Sequence, residues 1–160
     1  MRYILFLYCI VCISLITVTG CNELGPQFSG LPESKPDKAL ILVYRPFSNI
    51  EPLMPNEVLI DKNKIGCLEN QSYTTYEIDP GRYTIFIGLG GKNGLCGIMN
   101  DKMRGTPNKS FEAEGGKIYF FRYIRYNSEN PFTDFYHKLE PVSNEIGLSE
   151  VKSLRVCICK

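Results

Sequence analysis

The cysteines are the residues of this sequence whose type and spacing could support chemistry. There are seven, at positions 9, 12, 21, 67, 96, 157 and 159. A cysteine can join a disulfide outside the cytoplasm, bind a soft metal ion as a thiolate, or carry a lipid. Which of these roles a cysteine takes depends on the cellular compartment that it reaches. The first 21 residues of the chain indicate that compartment.

The N-terminus has the features of a secretory signal. Arg2 precedes an uncharged, apolar run from Tyr3 to Val18, and small residues follow. The run would be roughly 24 Å long as a helix, whereas a bilayer core is about 30 Å thick. These features favour a cleaved signal peptide at residues 1–20. A short uncleaved membrane helix is the alternative.

The segment Val18-Thr19-Gly20-Cys21 resembles the lipobox of bacterial lipoproteins. The resemblance implies that Cys21 is joined to diacylglycerol, that the signal is cut before it, and that Cys21 is the membrane anchor. The following residue, Asn22, is not the Asp that favours inner-membrane retention in enterobacteria, so the periplasmic face of the outer membrane is the expected location. The alternative is that Cys21 is an ordinary cysteine after an ordinary signal.

Four cysteines remain in the body of an exported chain: Cys67, Cys96, Cys157 and Cys159. Four cysteines outside the cytoplasm suggest disulfides. The favoured pairing is Cys67–Cys96, and the alternative is a bond from each of these to one tail cysteine. Cys157 and Cys159 are too close for an easy mutual bond, and strand alternation would point both the same way. A metal or thiol-redox role for this Cys-x-Cys pair is the alternative.

Other constellations give weaker signals. Gly88-Leu89-Gly90-Gly91-Lys92-Asn93 follows a strand, but Asn93 stands where a dinucleotide loop has its third glycine, which favours a simple loop. Asp134 and His137, with Ser128, could suggest a hydrolase, yet residues three apart lie on opposite faces of a strand. We therefore expect His137 at a surface or interface, and neither a catalytic site nor a cofactor.

Charge excludes some partners. Without Arg2 the chain has 17 basic and 17 acidic residues, and no block of like charges occurs. This balance argues against nucleic acid and against binding to anionic lipid by a basic patch.

The elements that must position these residues are mostly short strands. Residues 22–38 contain five Gly and Pro residues without apolar periodicity, which predicts a flexible spacer of about 55 Å after the lipidated Cys21. The alternative is that this segment packs across the domain as an extra strand. The domain itself is expected at 39–160. About seven strands are predicted among the segments 39–44, 57–61, 64–68, 72–78, 83–87, 110–114, 117–125 and 133–139.

Turn residues predict how these strands connect. Lys62-Asn63 and Gly115-Gly116 suggest two hairpins, and Asp79-Pro80-Gly81-Arg82 suggests a return turn. Leu148, Val151 and Leu154 fit one helical stripe, so a short C-terminal helix is expected. The fold class is therefore all-β, a two-sheet β-sandwich with one short helix.

The order of these motifs is similar to that of a bacterial family, domain of unknown function 2846, over residues 38–152. The matching residues are Ala39–Val43 with Tyr44-Arg45-Pro46, Ile60-Asp61, Ile65-Gly66, Asn70–Tyr73, Pro80-Gly81, Phe111–Lys117 and Glu145-Ile146-Gly147. Lys62 and the glycine-rich stretch near Cys96 depart from the family pattern. The resemblance implies a transthyretin-like or PEGA-like sandwich on a lipid anchor, without an agreed activity.

The sequence thus predicts a lipid-anchored envelope protein whose β-sandwich works by binding rather than by catalysis. Another envelope protein or peptidoglycan would be the partner, on a sheet face or on the 88–107 loop. The alternatives are a metal or thiol-redox protein that uses Cys157 and Cys159, and a hydrolase.

Overall fold

The computed structural model describes residues 23–33, 35–50, 55–89, 107–127 and 135–159. These residues form ten strands and one helix: β1 (Glu23–Gln27), β2 (Ala39–Arg45), β3 (Asn56–Ile60), β4 (Asn63–Leu68), β5 (Ser72–Ile78), β6 (Gly81–Leu89), β7 (Asn108–Ala113), β8 (Ile118–Asn127), β9 (Phe135–Val142), α1 (Asn144–Val151) and β10 (Arg155–Ile158). The all-β class with two sheets and one short helix is confirmed, although the described residues hold ten strands rather than about seven.

The strands form a six-stranded sheet in the order β1-β10-β5-β2-β8-β9 and a four-stranded sheet in the order β4-β3-β6-β7. Strand β2 lies in the middle of the larger sheet, antiparallel to β5 and parallel to β8. All seven of its residues are buried, as the continuous apolar run predicts for a strand covered on both faces.

The two faces of β2 serve two different cores. Ile41 and Val43 pack between the sheets with Val58 and Ile85, and Phe121 joins them from β8. The alternate residues Leu42 and Tyr44 point to the other face of the sheet. The period of two along one strand therefore builds both apolar layers.

Helix α1 covers that second face. Ser143 caps its N-terminus, where its side chain accepts a hydrogen bond from the backbone N–H of Ile146. Val151 and the following Leu154 pack with Phe120, and Leu148 lies partly buried beside them. The apolar stripe expected from the sequence is thus the contact surface of the helix.

A network of ion pairs and hydrogen bonds connects α1 to the larger sheet. The Arg122 guanidinium lies 2.6 Å from Glu140 on β9 and 2.6 Å from Glu150 on α1. The hydroxyl of Tyr44 donates to the other oxygen of Glu150. Burial, together with Glu150, raises the pKa of Tyr44 far above its usual value, so this hydroxyl keeps its proton.

One predicted hairpin forms, with a shift of one residue in its turn. Strands β3 and β4 pair antiparallel, and Asp61 and Lys62 connect them with φ values of 46° and 73°. Two successive positive φ angles match the twist of a two-residue hairpin. The turn is therefore Asp61-Lys62 rather than Lys62-Asn63.

The other two expected reversals are not hairpins. After Asp79-Pro80 the chain leaves β5 for β6, which belongs to the smaller sheet, and after Gly115-Gly116 it crosses back from β7 to β8. The N–H of Gly116 donates to the carbonyl of Lys38, which aligns the start of β8 with β2. The turn residues mark reversals correctly, but the strands that they join pair in different sheets.

The expected spacer is structured where it is described. Residues Glu23–Gln27 form β1, which pairs antiparallel with β10, and the N–H of Phe28 donates to the carbonyl of Leu154. Phe28 meets the Tyr73 ring edge-on at 5.5 Å. The prediction of a free spacer therefore fails for these residues, because scattered apolar side chains without a period can still bury against a sheet edge.

Candidate functional site

Three cysteine sulfur atoms meet where the two sheets approach each other. Cys67 lies in β4 of the smaller sheet, and it forms a disulfide with Cys159, which directly follows β10 of the larger sheet. The Cα atoms of this pair are 5.7 Å apart. The Sγ atom of the third cysteine, Cys157, lies 3.0 Å from the Sγ atom of Cys67.

The strand arrangement explains this meeting. Strand β10 runs parallel to β5, and Arg155 and Val156 pair with Ser72 and Tyr73. This places β10 beside β4 at the open end of the smaller sheet. Residues 157 and 159, two apart, can then both reach Cys67, as strand alternation predicts.

The favoured disulfide pairing, Cys67–Cys96, is wrong. In the structure Cys67 is bonded to Cys159 and not to Cys96, so the Cys67–Cys96 pairing is not adopted. The other arrangement, a bond from Cys67 to the tail, is the one observed. Cys96 lies outside the described residues. The Cys67–Cys159 bond connects the end of β10, in the larger sheet, to β4, at the edge of the smaller sheet.

Burial determines the protonation state of the Cys157 thiol. Its side chain is only 6 % exposed, whereas Cys159 is exposed. Burial, with a smaller contribution from the Glu69 carboxylate, raises the pKa of Cys157 to about 11. The thiol is therefore protonated at neutral pH, and it is a poor nucleophile there.

A second cluster, the buried polar cluster, lies between the sheets and consists of Arg45, Asn56, Tyr123, Arg125 and His137. Arg125 donates from Nε to the Tyr123 oxygen at 2.9 Å and from Nη2 to Asn56 Oδ1 at 2.9 Å. Arg45 also reaches Asn56 Oδ1, at 3.5 Å. The Asn56 side chain thus joins residues of both sheets, because Asn56 starts β3 while the two arginines lie on β2 and β8.

The bonding of Tyr123 fixes the protonation of His137. The Tyr123 oxygen accepts hydrogen bonds from Arg125 and Asn56, so its own proton must point to His137 Nδ1, which is 2.7 Å away. A ring nitrogen that accepts has no proton, and His137 is neutral. Burial and the two nearby arginines agree with this, since they lower the pKa of His137 to about 4.

His137 was expected at a surface or interface, and the structure shows it only partly exposed, with its ring in the network between the sheets. Its ring is partly buried and stacks on Tyr123, with the ring centres 6.0 Å apart. Alternation along β9 turns its side chain toward the space between the sheets. Ser128 and Asp134, the other residues of the hydrolase interpretation, lie outside the described residues, so that interpretation has no geometry to support it.

The sequence patterns did not predict the buried polar cluster. Two signals pointed to it: Arg45 ends a wholly apolar strand, and Arg125 interrupts a strand rich in aromatic residues. Charged residues are almost never fully buried unless they are paired. Only the pairing of β2 with β8 brings the two arginines near each other.

Several predicted features cannot be placed. Cys21, the signal peptide and the glycine-rich segment from Gly90 onward lie outside the described residues. Within the described ranges, no group of three or more His, Cys, Asp or Glu residues is arranged to hold a metal ion. The same ranges contain no helix that is long and apolar enough to cross a membrane.

The comparison with known proteins gives a family but no activity. No curated protein matches the chain. Residues 35–134, more than half of the chain, match the model of a family described as protein of unknown function (DUF2846). This match covers β2 to β8 and therefore the arginines and Tyr123 of the buried polar cluster, and it ends before His137, α1 and β10. The resemblance seen in the sequence motifs is confirmed over this range, and the chain belongs to the family of proteins of unknown function DUF2846.

Proposed function

We propose that this protein is a lipoprotein of the bacterial cell envelope, anchored through lipid on Cys21. The observation that carries the proposal is the uncharged, apolar run that leads directly into Val18-Thr19-Gly20-Cys21. Each buried methylene of an acyl chain contributes about 0.8 kcal/mol to membrane binding, so several chains hold a protein with negligible release. The proposed location is the periplasmic face of the outer membrane.

The anchored domain would lie close to the bilayer. Strand β1 begins at Glu23, two residues after Cys21, and two residues span about 7 Å at most. The strand is hydrogen-bonded to β10, which is hydrogen-bonded to β5. This arrangement supports a short, stiff attachment at one edge of the six-stranded sheet instead of a long spacer.

The domain is proposed to act as a binding or accessory module without catalysis, on a sandwich of the transthyretin-like or PEGA-like kind. In support, the described polar side chains between the sheets bond to one another: Asn56, Tyr123 and His137 belong to one network. Such a network positions strands, and it pairs His137 Nδ1 with the Tyr123 hydroxyl, whereas a Ser-His-Asp triad pairs that atom with a carboxylate. The partner class is another envelope protein or peptidoglycan.

The alternative of a metal site at the two tail cysteines has less support. Two thiolates would be needed, and the Cys159 sulfur is bonded to Cys67. The buried thiol of Cys157 would have to lose a proton that its surroundings retain.

The test of the anchor is a cysteine substitution in cells. We expect Cys21→Ser to abolish labelling by a radioactive fatty acid and to leave the protein uncut or released from the membrane fraction. Cys12→Ser is the matched control, because Cys12 leaves with the signal peptide and its substitution should keep full labelling. Normal labelling of Cys21→Ser would refute the proposal.

A further inference from the structure

The Cys67 sulfur has two cysteine neighbours, and only one of them is bonded to it. The bond joins Cys67 to Cys159, 92 positions later in the sequence, while the Cys157 sulfur lies 3.0 Å from the Cys67 sulfur. Atoms about 3–3.5 Å apart are at the distance from which a bond can form without further approach. The described thiol closest to this disulfide is therefore already within reach of it.

We propose that Cys67 is a shared disulfide partner, and that the bond exchanges between Cys67–Cys159 and Cys67–Cys157 to release Cys159 as an exposed thiol. In the exchange, Cys157 gives its proton to solvent and its thiolate attacks the Cys67 sulfur. The Cys67–Cys157 bond forms, the Cys67–Cys159 bond breaks, and Cys159 leaves as a thiolate that takes up a proton. Two thiol-disulfide states interconvert without an external oxidant or reductant.

The two states differ in which thiol reaches solvent. In the observed state the free thiol, on Cys157, is only 6 % exposed. In the exchanged state the free thiol belongs to Cys159, which lies beyond the end of β10 and is exposed. The exchange thus moves reactivity from the interior to the surface, where Cys159 can attack a disulfide on another molecule and form a mixed disulfide with it.

The surroundings of Cys157 set the direction in which pH shifts this equilibrium. The charged and polar groups that act on it are Glu69 beyond β4, Lys64 on β4 and Ser72 on β5, and its partner on the adjoining β1 is the apolar Leu24. Burial is the largest influence, and it raises the pKa of Cys157 to about 11. An exposed cysteine such as released Cys159 ionises near 8.5. At a pH between about 8.5 and 11, the free thiol ionises in the exchanged state but stays protonated in the observed state. Ionisation therefore stabilises only the exchanged state, and higher pH favours it.

The exchange is tested by mapping the disulfide in the wild-type protein. The purified full-length protein is held at pH 7, 9 and 10, quenched in acid, alkylated under denaturing conditions and digested with trypsin. Because no Lys or Arg separates Cys157 from Cys159, both fall in one peptide, and fragmentation of that peptide shows which one is bonded to the Cys67 peptide. We expect Cys67–Cys159 to dominate at pH 7, and the ratio of Cys67–Cys157 to Cys67–Cys159 to rise about sevenfold from pH 9 to pH 10.

Two variants give a second, independent test. After oxidation in a glutathione buffer, Cys159→Ser should contain a Cys67–Cys157 bond, and the matched Cys157→Ser variant should contain a Cys67–Cys159 bond. The proposal is overturned if Cys159→Ser retains alkylatable thiols at both Cys67 and Cys157. It is also overturned if the wild-type isomer ratio is the same at pH 7 and pH 10, or if Cys157 is found bonded to Cys96. None of these measurements depends on the lipid anchor.

Discussion

His137 and Cys157 are two ionisable side chains that the fold holds in their neutral forms. The imidazole of His137 accepts the proton of Tyr123 and lies near two arginines, which lowers its pKa to about 4. The Cys157 thiol is buried, which raises its pKa to about 11. Each group binds protons differently in the folded and unfolded chain, so each makes stability depend on pH.

Replacement of His137 should make the free energy of unfolding less sensitive to acid. The unfolded chain takes up a proton on histidine near pH 6.5, whereas the folded chain resists it down to about pH 4. Stability is therefore lost as the pH falls from about 6.5 to 4, by about 2 kcal/mol at pH 5. His137→Gln keeps an acceptor for Tyr123 and cannot titrate, so its stability should fall less.

The measurement is urea unfolding of the wild-type protein and His137→Gln at pH 7.5, 6, 5 and 4.5. The carboxylates titrate equally in both proteins, so the difference between the two curves isolates the histidine. Parallel curves across this range would show that His137 titrates normally in the folded protein.

The residue types of these sites were visible in the sequence, whereas their partners were not. The spacing of Cys157 and Cys159 predicted that both would point one way, and both do reach Cys67. The bond from Cys67 to the tail could not be chosen over Cys67–Cys96, because it depends on a pairing between β10 and β5 that has no local signal. Of the two arginines that lower the pKa of His137, Arg125 is its direct partner on the preceding strand β8, whereas Arg45 comes from β2, far away in the sequence.

Helix α1 depends on a glycine at its contact with the larger sheet. Gly147 is buried, and a Cβ atom added there would overlap the ring of Phe120. The aromatic ring is itself buried between neighbouring strands, so it has little room to move. This close approach explains a glycine inside a helix, where it otherwise weakens the structure.

Gly147→Ala should therefore destabilise the protein although alanine favours helices. Overpacking of a dense core costs about 1–3 kcal/mol, while the gain in helix propensity is about 1 kcal/mol. We expect a net loss of up to about 2 kcal/mol in the free energy of unfolding, measured with urea at pH 7.5. Ser149→Ala, at an exposed position of the same helix, should change it by less than about 0.5 kcal/mol. A stabilised Gly147→Ala variant would mean that the helix can move away from the sheet.

Local patterns predicted the elements better than the connections between them. The apolar run 39–44, the turn near Lys62 and the stripe of α1 were read from neighbouring residues, and the structure has all three. The reversals at Pro80-Gly81 and Gly115-Gly116 were read as local pairings, but β2 enters between β5 and β8 and takes both partners. Strand β2 pairs with β5 and β8 because this arrangement buries its whole length, and the residues of the turns carry no information about that burial.

At the scale of the whole molecule, the first and the last of the described strands pair with each other at one edge of the larger sheet. Strand β1 pairs with β10, and the disulfide connects the end of β10 to the smaller sheet. An anchor on Cys21 would thus attach to the sandwich at the β1–β10 edge, which the disulfide links to the smaller sheet. The edge formed by β9 lies about 24 Å away, since neighbouring strands are about 4.8 Å apart.

This geometry predicts which edge of the anchored domain faces the lipid. The protein contains no tryptophan, so one introduced tryptophan is a clean fluorescent probe. Leu24 on β1 and Tyr136 on β9 have side chains that are 38 % and 50 % exposed, and both can be replaced at the surface with little strain. In vesicles that contain lipids with a nitroxide quencher, lipidated Leu24→Trp should be quenched strongly and lipidated Tyr136→Trp weakly, because only β1 is held near the bilayer by the two-residue link. Equal quenching at both positions would show that the domain tumbles freely on a longer tether, even when fatty-acid labelling proves that Cys21 carries lipid.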